Sequence, residues 1–120
     1  MMRLVDTSVW IDHLHHRDAT LSAALEEGSV LTHPFVIGEL ACGNMRGRVE
    51  ILRLLKELPQ APVATNAEVL EFIERRKLMG RGIGFVDAHL LASVTLAGSA
   101  TLLTTDRRLA AIAMELKRGK

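Results

Sequence analysis

Arg3-Leu4-Val5-Asp6-Thr7-Ser8-Val9-Trp10-Ile11-Asp12 joins a short apolar run to an acid, then a hydroxyl pair, then a second apolar run. Leu4 and Val5 read as a buried strand too short to alternate. The Asp6-Thr7-Ser8 cluster is a helix-start signal ahead of Val9, Trp10, Ile11 and Leu14. Asp6 therefore sits at the carboxyl end of a strand, the edge at which open α/β sheets bind their ligands. A plainer reading stays open, because Asp, Thr and Ser are all favoured helix N-caps.

Composition bounds the rest. The chain has 120 residues, 48% of them hydrophobic, enough for one domain with a real core and no room for a second, so residues 1–120 are expected to form a single unit. The opening residues lack the apolar region of a signal peptide, and no run approaches the roughly 18 uninterrupted apolar residues of a membrane span. A soluble, cytoplasmic protein without membrane contact is expected. A single cysteine, Cys42, excludes an internal disulfide and a thiolate metal cluster within one chain, and reads as a small buried core residue.

Strands and helices alternate along the chain. Ala19 to Glu27 reads as a helix ended by Gly28, and Val30 to Thr32 as a second strand. Pro34 opens a helix carrying Phe35, Val36, Ile37 and Leu40. A further helix runs from about Val49 to Leu58, and Ala61 to Ala64 reads as a short strand. Thr65-Asn66-Ala67-Glu68 has capping-box spacing and opens a helix to about Met79. Gly80-Arg81-Gly82-Ile83-Gly84 breaks it, without the spacing of a dinucleotide-binding loop, and reads as a hinge or substrate-facing loop. Val86 to Leu96 is the next helix, Thr101 to Thr104 the last strand and Leu109 to Leu116 the terminal helix. Such alternation implies parallel crossovers and an α/β fold, a central parallel sheet flanked by helices on both faces.

Two more acids stand on helices. Glu39 has Phe35, Val36, Cys42 and Gly43 three and four residues away, and Asp87 has Leu90, Leu91 and Val94 on its face, apolar company that a solvated carboxylate would avoid. Asp106, like Asp6, follows a strand and starts a helix, and it too could be an N-cap alone. If the first and last strands are neighbours, Asp6, Glu39, Asp87 and Asp106 converge on one edge, where they repel and raise one another's pKa values. A divalent cation resolves that conflict. All-oxygen ligation points to Mg²⁺ or Mn²⁺, which act on phosphates, so the residues alone lead to a metal-dependent phosphodiester hydrolase.

Net charge is only +1, yet cations are clustered: Arg46, Arg48 and Arg53; Arg75-Arg76-Lys77 with Arg81; Arg107-Arg108. Each cluster could be a solvated face or a helix C-terminus complementing its dipole. Arg81, Arg107 and Arg108 flank Asp87 and Asp106 and are the candidates for holding RNA phosphates. Aromatic residues make up 3% of the chain with no Tyr, which disfavours a base-stacking platform.

Four segments together resemble the PIN-domain ribonucleases, and within them the VapC-type toxins of bacterial VapBC toxin–antitoxin pairs. They are Leu4 to Asp12, Pro34-Phe35-Val36-Ile37-Gly38-Glu39-Leu40, Gly82 to Ala92, and Thr104-Thr105-Asp106-Arg107-Arg108-Leu109. The resemblance covers essentially the whole chain. It implies an acidic quartet at Asp6, Glu39, Asp87 and Asp106, with a supporting hydroxyl at Thr7, Ser8 or Thr105. It further implies Mg²⁺ or Mn²⁺ dependence, endonucleolytic cutting of RNA, homodimerisation, and inhibition by a small VapB-type antitoxin lying across the active-site groove.

None of His13, His15, His16, His33 and His89 is expected to act as a general base, a metal role for the first three would need two of them on one helix face, and Trp10 reads as core or dimer contact. A phosphoacceptor signalling domain would need a Lys after the last strand, where this chain has Asp106-Arg107-Arg108. A DNA-directed nuclease of related fold and a noncatalytic binding module share parts of the pattern, and an intact quartet argues against the second.

Overall fold

A computed structural model describes residues 1–119. In chain order the elements are β1 (Arg3–Val5), α1 (Thr7–His16), α2 (Ala19–Glu26), β2 (Val30–Leu31), α3 (Pro34–Ala41), α4 (Arg48–Glu57), α5 (Asn66–Arg76), α6 (Phe85–Ala97), β3 (Thr101–Leu103) and α7 (Arg107–Lys117). The three strands form one parallel sheet in the order β2-β1-β3, with Arg3 opposite Val30 and Thr101, and Val5 opposite Leu103. The chain steps from β1 to one side and returns to the other. That reversal places the carboxyl ends of β1 and β3 side by side, where open parallel sheets leave a crevice.

Successive strand residues face opposite ways, so the complete burial of both Leu4 and Val5 means that both faces of β1 are covered. One apolar cluster joins them to Val9 and Trp10 of α1, Leu21 of α2, Val36 and Leu40 of α3 and Leu55 of α4. The second gathers Val69 and Phe72 of α5 with Leu109 and Ile112 of α7. Helix α6 serves both, Leu90 entering the first and Ala88, Leu91 and Ala92 the second. Every residue from Ala88 to Ser93 is buried, as a helix apolar on all sides must be. Truncating Leu90 to Ala would remove about 2–5 kcal/mol. Trp10, 2% exposed, is a core residue.

Three local expectations fail. Ala61 to Ala64 is not a strand: pairing beyond β2 shrinks to one parallel bridge, Thr32 to Gln60, held by Thr32 N–H donating to Pro59 O and Ala61 N–H to Thr32 O, each at 2.9 Å. Pro59 and Pro62 have no N–H to donate and bracket the bridge. Cys42 is exposed rather than buried, because α3 ends there and its residue stands at the C-cap. The helix expected to reach Met79 stops at Arg76, where Lys77 turns into the left-handed region at φ 55°. Among the described residues, no helix is long and apolar enough to cross a membrane.

Candidate active site

Three acids stand at helix starts on the carboxyl edge of the sheet. Asp6 is the N-cap of α1, Asp106 the N-cap of α7, and Asp87 occupies the first turn of α6. Each carboxylate meets the positive end of a helix dipole. Glu39 comes from the third quarter of α3, the helix that follows β2.

Asp6 is 8% exposed and its oxygens accept three hydrogen bonds. Oδ1 accepts from Thr7 N–H at 2.8 Å, while Oδ2 accepts from Ser8 Oγ at 3.0 Å and Thr104 Oγ1 at 2.7 Å. Asp106 Oδ1 accepts from the N–H groups of Arg108 at 2.9 Å and Leu109 at 3.2 Å. The Asp106 N–H donates to Thr104 Oγ1 at 3.1 Å, so one hydroxyl links the two aspartates. Thr105 takes part through its backbone, whose N–H donates to Ser8 Oγ at 3.4 Å. Thr104 was not anticipated from sequence; the available signal was a hydroxyl residue directly after β3.

Asp87 is half-buried, and its Oδ2 accepts from Gly84 N–H at 3.0 Å. Burial pushes its carboxyl pKa up; the Gly84 hydrogen bond opposes this, and the charges of Asp6 and Asp106 raise it further. The three aspartates thus act on one another electrostatically. Glu39 is exposed and faces an open groove, while its neighbour Val36 is buried in the core. Ile11, Leu14, Leu40 and Met45 form that groove, with Arg46 on its rim. Thr7 Oγ1 donates to Glu39 Oε1 at 2.6 Å. Since the N–H of the same Thr7 holds Asp6, that residue joins Glu39 to the aspartates.

The cation clusters separate by position. Arg75 and Arg76 lie in the last turn of α5, where a positive charge complements the dipole. Arg48 donates to Ala41 O through Nε at 3.1 Å and Nη2 at 2.7 Å, closing the end of α3. Arg81 forms a bidentate pair with Glu115, at 2.6 and 2.9 Å. Arg107 and Arg108 are different: they are the first two residues of α7, where the dipole disfavours a cation. Neither makes an ion pair among the described residues.

Among the described residues, no three His, Cys, Asp or Glu side chains are assembled as a ready-made metal cage. The donor set is all oxygen, and the mutual charge acting on Asp87 is what a cation would relieve. Mg²⁺ and Mn²⁺ keep several waters and take one or two carboxylates directly, so Asp6, Asp87 and Asp106 fit such an ion without closing a full protein shell around it.

Comparison with known proteins agrees with this arrangement. The PIN domain family model matches residues 3–115. Ribonuclease VapC32 of Mycobacterium tuberculosis, from strain CDC 1551 / Oshkosh, is 52% identical over 114 residues, covering 95% of this chain and 92% of that protein. The same figures hold for Ribonuclease VapC32 of strain ATCC 25618 / H37Rv. With a parallel α/β sheet, acids on its carboxyl edge and a match over nearly its whole length, the chain belongs to the PIN-domain family, among the VapC-type ribonucleases.

Proposed function

We propose that this chain is a Mg²⁺- or Mn²⁺-dependent endoribonuclease toxin of a type II toxin–antitoxin system, hydrolysing RNA phosphodiester bonds at Asp6, Glu39, Asp87 and Asp106. The observation that carries the reading is the electrostatic convergence of Asp6, Asp87 and Asp106 on one sheet edge. A hard divalent cation held there supplies charge stabilisation at the phosphoryl group and a more acidic attacking water. The chain's own residues do the rest. Asp6, fixed by Thr7, Ser8 and Thr104, gives an immobile anchor. Asp87 and Asp106 complete the negative field, and Glu39, held by Thr7 but exposed, is free to orient water on the solvent side. Arg107 and Arg108 attract the RNA backbone to the same edge.

The partner fits the same geometry. A VapB-type antitoxin laying an amphipathic segment into the groove of Ile11, Leu14, Leu40 and Met45 would reach Glu39 at its end. An Arg from that segment could pair bidentately with a carboxylate and stand in for the cation. The whole chain works as one nuclease unit, as a homodimer in the cytoplasm.

The test is to incubate the purified chain with a panel of structured RNAs, with and without Mg²⁺ or Mn²⁺, and to map the cleaved ends. Cleavage that needs the metal and fails on 2′-deoxy versions of the same sequences is the expected result. Cutting of DNA at equal rate would reassign the substrate.

A further inference from the structure

The glycine loop between α5 and α6 is fastened to α7 at two points, and the second has a chemical consequence. Arg81 pairs with Glu115 of α7 through both guanidinium nitrogens. One residue on, Gly82 has a left-handed backbone at φ +82°, and the place where a Cβ would stand is filled by the side chain of Arg108: Cδ lies 2.7 Å from that point and Nη1 closer still. Gly80, at φ +70°, has nothing within 4 Å of the corresponding point. Both glycines suit the bend, but only Gly82 is also required to be bare.

Among the described residues Arg108 gains no ion pair from lying there, and it sits at the end of a helix that repels it. Its head is nevertheless directed across the loop that runs into Asp87. From Gly82 to Gly84, whose N–H holds Asp87, the chain spans at most about 7 Å. We propose that Gly82 is a seat for Arg108, holding its guanidinium ready for an RNA phosphate beside the acids, and that Arg81 acts through Glu115 as a positioning residue that keeps the seat against α7. The inference rests on the nuclease reading for the identity of its ligand, and it specifies which of the arginines touches the strand.

A phosphate-bound Arg108 contributes one released counterion, or about 0.7 to the slope of log affinity against log salt for single strands. An alanine at Gly82 would push the flexible guanidinium aside, at a cost in backbone strain that an alanine at Gly80 shares, and Arg108→Ala would remove it outright. The experiment measures binding of a single-stranded RNA in EDTA across a salt series for wild type, Arg108→Ala, Gly82→Ala, Gly80→Ala and the Gly82→Ala/Arg108→Ala double variant. The slope should become shallower by roughly 0.7 in Arg108→Ala and in Gly82→Ala, by no more in the double variant, and stay at wild type in Gly80→Ala, which shares the backbone bend but not the contact. In metal-dependent cleavage, Gly82→Ala should raise KM and leave kcat nearly unchanged. A wild-type slope in either Arg108→Ala or Gly82→Ala overturns the proposal, as does an equal loss in Gly80→Ala. Should Gly82→Ala fail to fold, the slope of Arg108→Ala decides. Because binding is read without metal, absence of cleavage by the wild-type chain would refute the nuclease reading separately.

Discussion

The Thr104 hydroxyl donates to Asp6 Oδ2 at 2.7 Å across 98 positions of sequence and accepts the Asp106 N–H at 3.1 Å on its other side. Thr104→Val keeps the shape and removes both contacts, leaving one lone pair of a buried carboxylate without its donor. The expected loss is about 1–2 kcal/mol of stability in urea unfolding. Cleavage should fall about tenfold, corresponding to about 1.4 kcal/mol of barrier. A variant as active and as stable as wild type would show that the hydroxyl link is incidental.

Asp6→Asn and Asp87→Asn should both abolish metal-dependent cleavage but part company in stability. The Asp6 oxygens take three donors, and an amide offers an NH₂ where one oxygen accepted; the expected loss is about 1–2 kcal/mol. Asp87 is half-buried and repelled by its neighbours, so its neutral replacement should unfold within about 0.5 kcal/mol of wild type, or slightly later. Metal supplies a second reading: saturating Mg²⁺ should raise the unfolding midpoint of wild type and leave that of Asp87→Asn unmoved. Full cleavage by either variant would dismantle the assignment of the site.

His33 gives the protein an acid-sensitive core. Its ring is fully buried and caps α3, with Nδ1 accepting from Phe35 N–H at 3.0 Å. Burial, with the neighbouring His89 adding to it, lowers its pKa from 6.5 to about 4. Between those values the unfolded chain binds more protons, so this stability is complete above the unfolded value and is lost as pH falls toward the folded one. His89, itself lowered by burial, acts in the same direction, whereas the raised Asp87 acts in the opposite one. His33→Asn keeps a capping oxygen without a titrating ring. Between pH 7 and 4.5 wild type should lose on the order of 2 kcal/mol more than this variant. Parallel unfolding curves across that range would exclude His33 as the titrating group.

The groove offers a way to separate the partner from the chemistry. Ile11 and Leu14 are 44% and 37% exposed and line the groove beside Glu39. Ile11→Glu should weaken capture of the antitoxin at least tenfold while cleavage by the free chain stays at wild type. If the partner's C-terminal Arg residues displace the cation, replacing them with Ala should also abolish the relief of inhibition by rising Mg²⁺. Equal inhibition by both partners at every Mg²⁺ concentration would leave steric blocking as the whole effect.

Much of the site was legible because its acids occupy positions that sequence marks well. Asp6 and Asp106 follow apolar strands and begin helices, and Asp87 is three residues from the Gly84 cap. The parallel order of β1 and β3 then brings them together with little further information. What could not be read depends on partners far away in the chain. Nothing local marks Arg81 as the mate of Glu115, 34 positions on, or Gly82 as the resting place of Arg108. Val36 is core as its spacing implied, but spacing alone does not show that the Glu39 carboxylate three residues on faces an open groove. Ala61 to Ala64 had strand-like composition, and its pairing was limited by prolines on either side of a single bridge.

Strand β3 is the outer neighbour of β1 and the penultimate element of the chain, so the first aspartate acquires its last hydrogen-bond donor only when Thr104 has been synthesised. At translation rates of roughly 5–20 residues per second, the 98 positions between them represent about 5–20 s on the ribosome. Throughout that interval the nascent chain has its amino-terminal acids but neither Asp106 nor the strand that carries it to them, so the acidic edge is assembled only in a chain synthesised through α7.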